Sequence, residues 1–544
     1  MKKSNQFFLF ALLFLFVLII YFPAHQAGFV TDFLGWQNKF NQEPITGALT
    51  TFGWHANQQA SVFFFYLLYK LFNLNGWPWY ISFTLLHTIN GFLSYRLFCR
   101  ILKECSVSNA SITAFIGTLL FLLSPYQAEV LVWRVCVHYL LSTLCILLVL
   151  TLTWNFLQTR KGKDLWWMQV IFLLSLFTLE ITLITPVMIF VLVIIHHSIF
   201  NKGTMTWRNI LILLAPQIIF IGGYFVINKL ILGQWVGHYG ADTHFRLSFH
   251  DIFSNYFRYL FKYLFFTRYF EHSLKMKIFS TAETTSGIAV MLSIFMLLFL
   301  YALIFYNLLH NRLRIAGMSL LLFFISLTPI ITLYMVTLMH GENDRYGYLA
   351  SIFFWMTVSV LFAALPKRLF YGIALILILI SVLLLWQTNR WWCENTKIYY
   401  SLLDDFRWYE KDEVVILNIP DNYQGLYMYR IYNEPSGFKE ALALIRKKPF
   451  KGQMRDVTQF NMMAKDQGVH VTVDSINNLT VTFNQYGNWW WWEGIGISDY
   501  ENEHYKVDFE GNAYHLLLKS LKPNSAIIYQ VGDKWEQVNA DWRH

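Results

Sequence analysis

Eleven apolar runs of about bilayer-spanning length follow one another through residues 6–387, and no other feature limits the fold so sharply. They lie at 6–23, 77–101, 111–126, 130–157, 165–180, 182–200, 207–231, 287–309, 315–338, 347–365 and 369–387. Composition agrees with them. Of 544 residues, 56% are hydrophobic, 19% aromatic and 14% charged, whereas a soluble surface carries roughly a quarter to a third charged residues. A soluble chain, a disordered chain and a disulfide scaffold are thereby excluded. Cys99, Cys105, Cys136, Cys145 and Cys393 show no metal-ligand spacing and fit small buried apolar residues. The first run follows Lys2 and Lys3 but has no clean small-residue cleavage site, so a retained anchor is expected.

Lysine and arginine set the expected orientation. With the N-terminus cytoplasmic, the inner segments hold 14 cations against the two acids Glu104 and Asp164, a net of +12 in a chain whose total is +9. All other segments together therefore sum to −3. The basic balance is a topology signal, and no nucleic-acid partner is needed to explain it. An odd number of spans puts residues 388–544 outside, and the inner membrane of a bacterium with a periplasmic tail is the expected setting. In that tail VVILNIP, VHVTVDSI, LTVTFNQY and AIIYQVGDKWEQV alternate or run β-branched between turn signals, while EPSGFKEALALIRKK reads as an amphipathic helix capped by Ser436. The expected fold class is a polytopic α-helical membrane protein with a C-terminal β-rich exoplasmic domain. Its division is 1–387 for the membrane domain and 388–544 for the tail.

Two outer loops are long. Residues 24–76 and 232–286 each contain an aromatic-rich amphipathic stretch expected to lie in the interface. In the second, Arg258, Lys262 and Arg268 share helical spacing, which fits either attraction of anionic lipid headgroups or simple membrane anchoring.

Charged groups in or at the edge of membrane segments are expensive and usually functional. Asp32, Glu129, Glu180 and Arg345 sit at span ends on the same expected face. Loop ends converging there build a cleft open to lipid and to water, suited to joining a lipid-borne group to a water-borne acceptor. A carboxylate takes the acceptor proton, and a cation holds a departing phosphate. The run Trp489–Trp492 fits core packing, interface anchoring or sugar stacking.

The order of motifs is more specific than any one of them. Gly28-Phe29-Val30-Thr31-Asp32 follows the first run, with Phe33 where a second carboxylate is usual. PWYISFTLLHTIN keeps Pro78, His87 and Asn90 but has Tyr80 and Phe83 in place of an earlier His and Asn. SPYQAEVLVW keeps Pro125, Glu129 and Trp133, with Ser124 replacing a His. Glu180 and Pro186 follow Leu179, and Asp344-Arg345-Tyr346-Gly347-Tyr348-Leu349 closes the series. In this order the chain resembles the GT-C superfamily of polyprenyl-phosphate-sugar glycosyltransferases, especially the branch containing protein O-mannosyltransferases. The resemblance covers about residues 6–387.

That resemblance implies an inverting transfer from a polyprenyl-phosphate sugar to a hydroxyl of a protein or an envelope glycan or lipid. Asp32 is then the general base. Arg345, Arg134 and Tyr346 hold the donor phosphate, and Glu129, Glu180, His340 and His87 serve sugar or acceptor, His87 also fitting a structural hydrogen bond. Some family members use a divalent ion. Asp32 lacks an adjacent carboxylate, so no required metal or other cofactor is expected. Two other readings stay open: a lipid-carrier flippase or transporter, and a non-catalytic envelope-assembly protein whose tail binds polymer.

Overall fold

A computed structural model describes residues 3–27, 29–30, 32–50, 57–107, 109–200, 207–235, 249–282, 284, 311–331, 343–428, 437–483, 488–490 and 499–539. The eighth apolar run, His340, Ser436 and Trp491–Trp492 lie outside these. The chain forms two compact units. The first comprises Met1–His25, Glu43–Met335 and Asn343–Thr388; the second joins Gln26–Gln42 to Asn389–His544.

The first unit is helical. Among the described residues six helices are long and apolar enough to cross a membrane, or seven if one bent pair is a single span. The protein is therefore a polytopic helical membrane protein with a β-rich C-terminal region. Helix α1 (Lys3–Ile20) occupies the first run. After α2 (Phe33–Gln42), α3 (Ile45–Thr50) and α4 (Gln59–Phe72), helix α5 (Gly76–Glu104) carries the second. The third run breaks. Helix α6 (Ala110–Leu122) is followed by the turn Pro125–Gln127 and α7 (Ala128–Val132), with a 53° bend. Pro125 explains the break: it has no N–H to continue the ladder and starts a new turn well. A further turn, Arg134–Cys136, leads into α8 (Val137–Thr159). The connection Leu123–Arg134 is buried throughout.

Helices α9 (Gly162–Ser175), α10 (Thr185–Phe200) and α11 (Trp207–Leu232) follow. Then come α12 (Phe249–Phe265), α13 (His272–Ala282), α14 (Asn311–Ile331) and α15 (Tyr348–Phe362). Helix α12 falls on the amphipathic stretch of the second long loop, and its Lys262 is buried. Helix α16 (Lys367–Asp405) spans 39 residues and continues well past residue 387.

The second unit holds two sheets. Strands β1 (Glu413–Tyr423), β2 (Leu426–Tyr427), β3 (Gln453–Met462), β6 (Asn488–Trp490), β10 (Ser525–Val531) and β11 (Lys534–Gln537) form one, ordered β11-β10-β1-β3-β6 with β2 beside β1. Strand β1 is parallel to both β3 and β10 and buried along its length, as its nearly continuous apolar run requires of a central parallel strand. Helix α17 (Gly437–Leu444) lies on the β2-to-β3 connection, since parallel neighbours need a crossover. The second sheet is antiparallel, ordered β4-β5-β9-β8-β7: β4 (Val469–Ser475), β5 (Asn478–Phe483), β7 (Tyr500–Glu501), β8 (Tyr505–Glu510) and β9 (Ala513–Leu518). Phe460 meets Phe483 edge-on at 5.1 Å, and the Tyr514 hydroxyl donates to the Leu417 carbonyl at 2.7 Å, closing the core between the sheets.

Candidate functional site

The bend in the third run positions the chemistry of the first unit. Glu129, on α7, is 1% exposed. Its Oε1 accepts from the Arg345 guanidinium at 2.6 Å and its Oε2 from the Asp344 backbone N–H at 2.8 Å. The carboxylate thus clasps the turn Asp344–Gly347, which starts α15. Arg345 also donates to the Tyr346 hydroxyl at 2.9 Å, and its guanidinium lies 4.7 Å from the Trp133 ring and 4.5 Å from the Tyr346 ring. A planar cation packed between aromatic faces and a carboxylate is held in one orientation.

Asp344 is fully buried and pairs with Lys262 of α12 and with Arg268 of the turn Thr267–Tyr269. Both cations lie over the Tyr126 ring, at 5.0 and 5.3 Å. Lys262 and Arg268, expected at the interface to meet headgroups or to anchor the helix, are instead 5% and 6% exposed and turned onto an acid. Burial of two long cationic side chains requires such a partner, and no local pattern reveals it, because Asp344 lies more than seventy residues downstream.

Arg134 is different. It is 1% exposed, donates to the Leu131 carbonyl at 2.6 Å and the Ala24 carbonyl at 3.4 Å, and stands 5.5 Å from the Phe83 ring. Its Nε–H has no hydrogen-bond partner, and among the described residues no carboxylate pairs with it. A guanidinium has five donors, and no carboxylate among the described residues takes up the Arg134 Nε–H. Ala24 belongs to the turn Phe22–Gln26.

The remaining expected residues are distributed. His87 is fully buried, Nδ1 on the Tyr348 hydroxyl at 2.8 Å and Nε2 on the Leu122 carbonyl at 3.2 Å. Asn90 joins the same knot, donating to the Leu140 carbonyl at 3.0 Å and the Tyr348 hydroxyl at 3.3 Å. Both ring nitrogens of His87 are thus committed to structure. Glu180 opens the turn Glu180–Ile184. Tyr346 is buried, its ring 6.1 Å from Tyr139.

Asp32 belongs to the second unit, immediately before α2. Its side chain is half-buried. Its segment is fastened there by the Phe29 backbone, hydrogen-bonded to Tyr400, and by packing of α2 on α17. Among the described residues no three His, Cys, Asp or Glu side chains are grouped to hold a metal ion.

No family model and no curated protein matches this chain. Among solved structures, ArnT from Cupriavidus metallidurans in the apo state gives a TM-score of 0.43 at 10% identity, covering 85% of this chain and 93% of that one. The same protein bound to undecaprenyl phosphate gives 0.36 at 10% identity with the same coverage. Likenesses at this level carry no functional conclusion for this chain.

Proposed function

We propose that the chain is an inverting membrane glycosyltransferase that moves a sugar from a polyprenyl-phosphate donor to an acceptor hydroxyl. The acceptor classes are a protein serine or threonine and an envelope glycan or lipid. The observation that carries this reading is Arg134, a fully buried guanidinium with no carboxylate partner among the described residues. The motif order from Gly28 to Leu349 supports it independently.

In the proposed step Asp32 accepts the acceptor hydroxyl proton. The freed oxygen attacks the anomeric carbon, and the bond from that carbon to the phosphate oxygen breaks. The electron pair leaves with the phosphate, giving polyprenyl phosphate and an inverted glycoside. Arg134 neutralises the departing phosphate, a role guanidinium geometry suits. Glu129 and Arg345 act together: the carboxylate fixes the turn, and the stacked guanidinium fixes the Tyr346 hydroxyl beside it. Glu180 is assigned to the sugar or acceptor side, while His87 holds the helix crossing.

The proposed setting is a bacterial inner membrane with the N-terminus cytoplasmic and the β-rich unit periplasmic. Among the native cysteines four are buried and Cys145 is half-buried. A cysteine at exposed Lys534 (Lys534→Cys) therefore reports topology. Labelling of intact spheroplasts by an impermeant maleimide is expected; labelling only after lysis contradicts the orientation.

Arg134 is tested by equilibrium binding of undecaprenyl phosphate to the purified protein in nanodiscs. Arg134→Gln is expected to weaken binding by about 10- to 100-fold, the scale of one charge-assisted contact, with little change in melting temperature. Equal affinity in the folded variant removes Arg134 from the phosphate site.

A further inference from the structure

The two sheets of the second unit end in four edge strands, β11 and β6 on one sheet and β4 and β7 on the other. An unpaired strand edge is a template for another strand, and proteins blunt it with short strands or charged side chains. Three of the four are blunted in this way. Strands β6 and β7 are three and two residues long, and β11 carries Lys534 and Glu536. Strand β4 differs. It has seven residues, Val469–Ser475, without lysine, arginine or proline. Its register with β5 is broken only between Val473 and Ser475, at the far end. Among the described residues, no backbone group of His470–Asp474 bonds to any strand other than β5.

The side chains at this edge are uncovered too. Successive residues of a strand alternate between the two faces of its sheet. Val469, Val471 and Val473 pair with Phe483, Val481 and Leu479 of β5, all three buried. Along β4 that cover fails: Val469 is buried, Val471 half-buried and Val473 37% exposed. Ile476, in the turn that follows, is 58% exposed. Among the described residues of the second unit the one other exposed large hydrophobic side chain is Leu517. Uncovered apolar surface thus gathers at the β4 edge. The opposite face of β4 presents His470, Thr472 and Asp474, all exposed.

The strand is its own complement. Laid antiparallel against a second copy about Thr472, it sets His470 opposite Asp474, Val471 opposite Val473, and Thr472 opposite itself. An imidazole then meets a carboxylate, the uncovered valines meet each other, and two threonines pair, each a favourable cross-strand pair. A two-fold axis requires this reciprocity. A slip of one residue sets His470 against Val473 and destroys both matches. We propose that β4 is a dimerisation edge, joining the five-stranded sheets of two copies of this chain into one continuous sheet. The pairing covers His470–Asp474 and ends where the β4–β5 register breaks. It is independent of the glycosyltransferase reading.

The test is crosslinking of the full-length chain in isolated membranes, with a dilution series by light scattering in detergent. The native cysteines are buried or half-buried. Thr472→Cys, whose counterpart across the axis lies about 4.5–5.5 Å away, is expected to give a covalent dimer with a short bismaleimide. Lys534→Cys, on β11, is expected to give none. Val473→Lys, a charge placed on the edge, should raise the dimer dissociation constant at least about tenfold. Asp474→Lys should act likewise, and adding His470→Asp should restore the dimer, a rescue that only this register provides. Should Asp474→Lys disturb the β4–β5 hairpin, the Thr472→Cys crosslink and Val473→Lys still decide. Absence of a crosslinked dimer, equal crosslinking of Lys534→Cys, or a dimer indifferent to Val473→Lys overturns the proposal. A crosslink from the Thr472→Cys chain to a different polypeptide overturns it as well, since the edge then serves another partner.

Discussion

Asp344 holds two buried cations with one carboxylate, so its loss should be felt strongly. Asp344→Asn leaves Lys262 and Arg268 buried without their acid. Breaking a buried ion pair on one side costs about 3–5 kcal/mol, and a marked fall in melting temperature is expected. Pairing the change with Lys262→Met should recover part of the loss. If Asp344→Asn melts like wild type, these contacts hold nothing together. Gly347, three residues on, is a second sensitive point. A Cβ there overlaps the Tyr263 hydroxyl, which donates to the Gly347 carbonyl at 2.9 Å. Gly347→Ala should destabilise by about 1–3 kcal/mol, the range for overpacking, and Tyr263→Phe in the same chain should relieve part of it. In the second unit, burial holds the Glu440 carboxyl above its ordinary range. The folded state therefore binds that proton more tightly than the unfolded one. The burial penalty is absent below the ordinary carboxylate range and grows as pH rises through the raised value. Glu440→Gln should protect α17 from hydrogen exchange more than wild type at neutral pH and equally at acidic pH; a larger gain at acidic pH contradicts this sign.

At the scale of elements, the sequence and the structure agree where one local rule suffices. Apolar length marked the helices, and the β-branched tail segments became β1, β4, β5, β10 and β11. The third run, read as one span over 111–126, instead breaks at Ser124-Pro125. The residues after it form a buried double turn, because Glu129 has Arg345 and Asp344 to bind. Lys262 and Arg268 follow the same logic. Helical spacing gave them a face, but whether that face met lipid or an acid depended on a residue far along the chain. His87 was legible as a motif residue, and only its two partners assign it to packing. Arg134 was named only through the family resemblance; what no pattern revealed is that it is buried with no acid beside it among the described residues.

At the scale of the whole molecule, the segment carrying Asp32 is built into the second unit. A composition shift near residue 388 cannot reveal this, since Gln26–Gln42 is contiguous with a membrane run and its partners, Tyr400 and α17, lie more than 350 residues away. Truncation after Phe406 should therefore raise hydrogen exchange across Phe33–Gln42, because α17 is removed from beneath it. Unchanged protection would mean that α2 holds its form without the tail.

The central claim is an acid that deprotonates an acceptor and a guanidinium that receives a phosphate. It is met most directly by turnover of a radiolabelled undecaprenyl-phosphate sugar by the purified chain in liposomes containing native envelope glycolipid. Wild type is expected to release undecaprenyl phosphate and form a labelled glycoside, and Asp32→Asn, equally folded, to lose at least about a hundredfold in rate, the lower range for removing a general base. Equal turnover by wild type and Asp32→Asn contradicts the account.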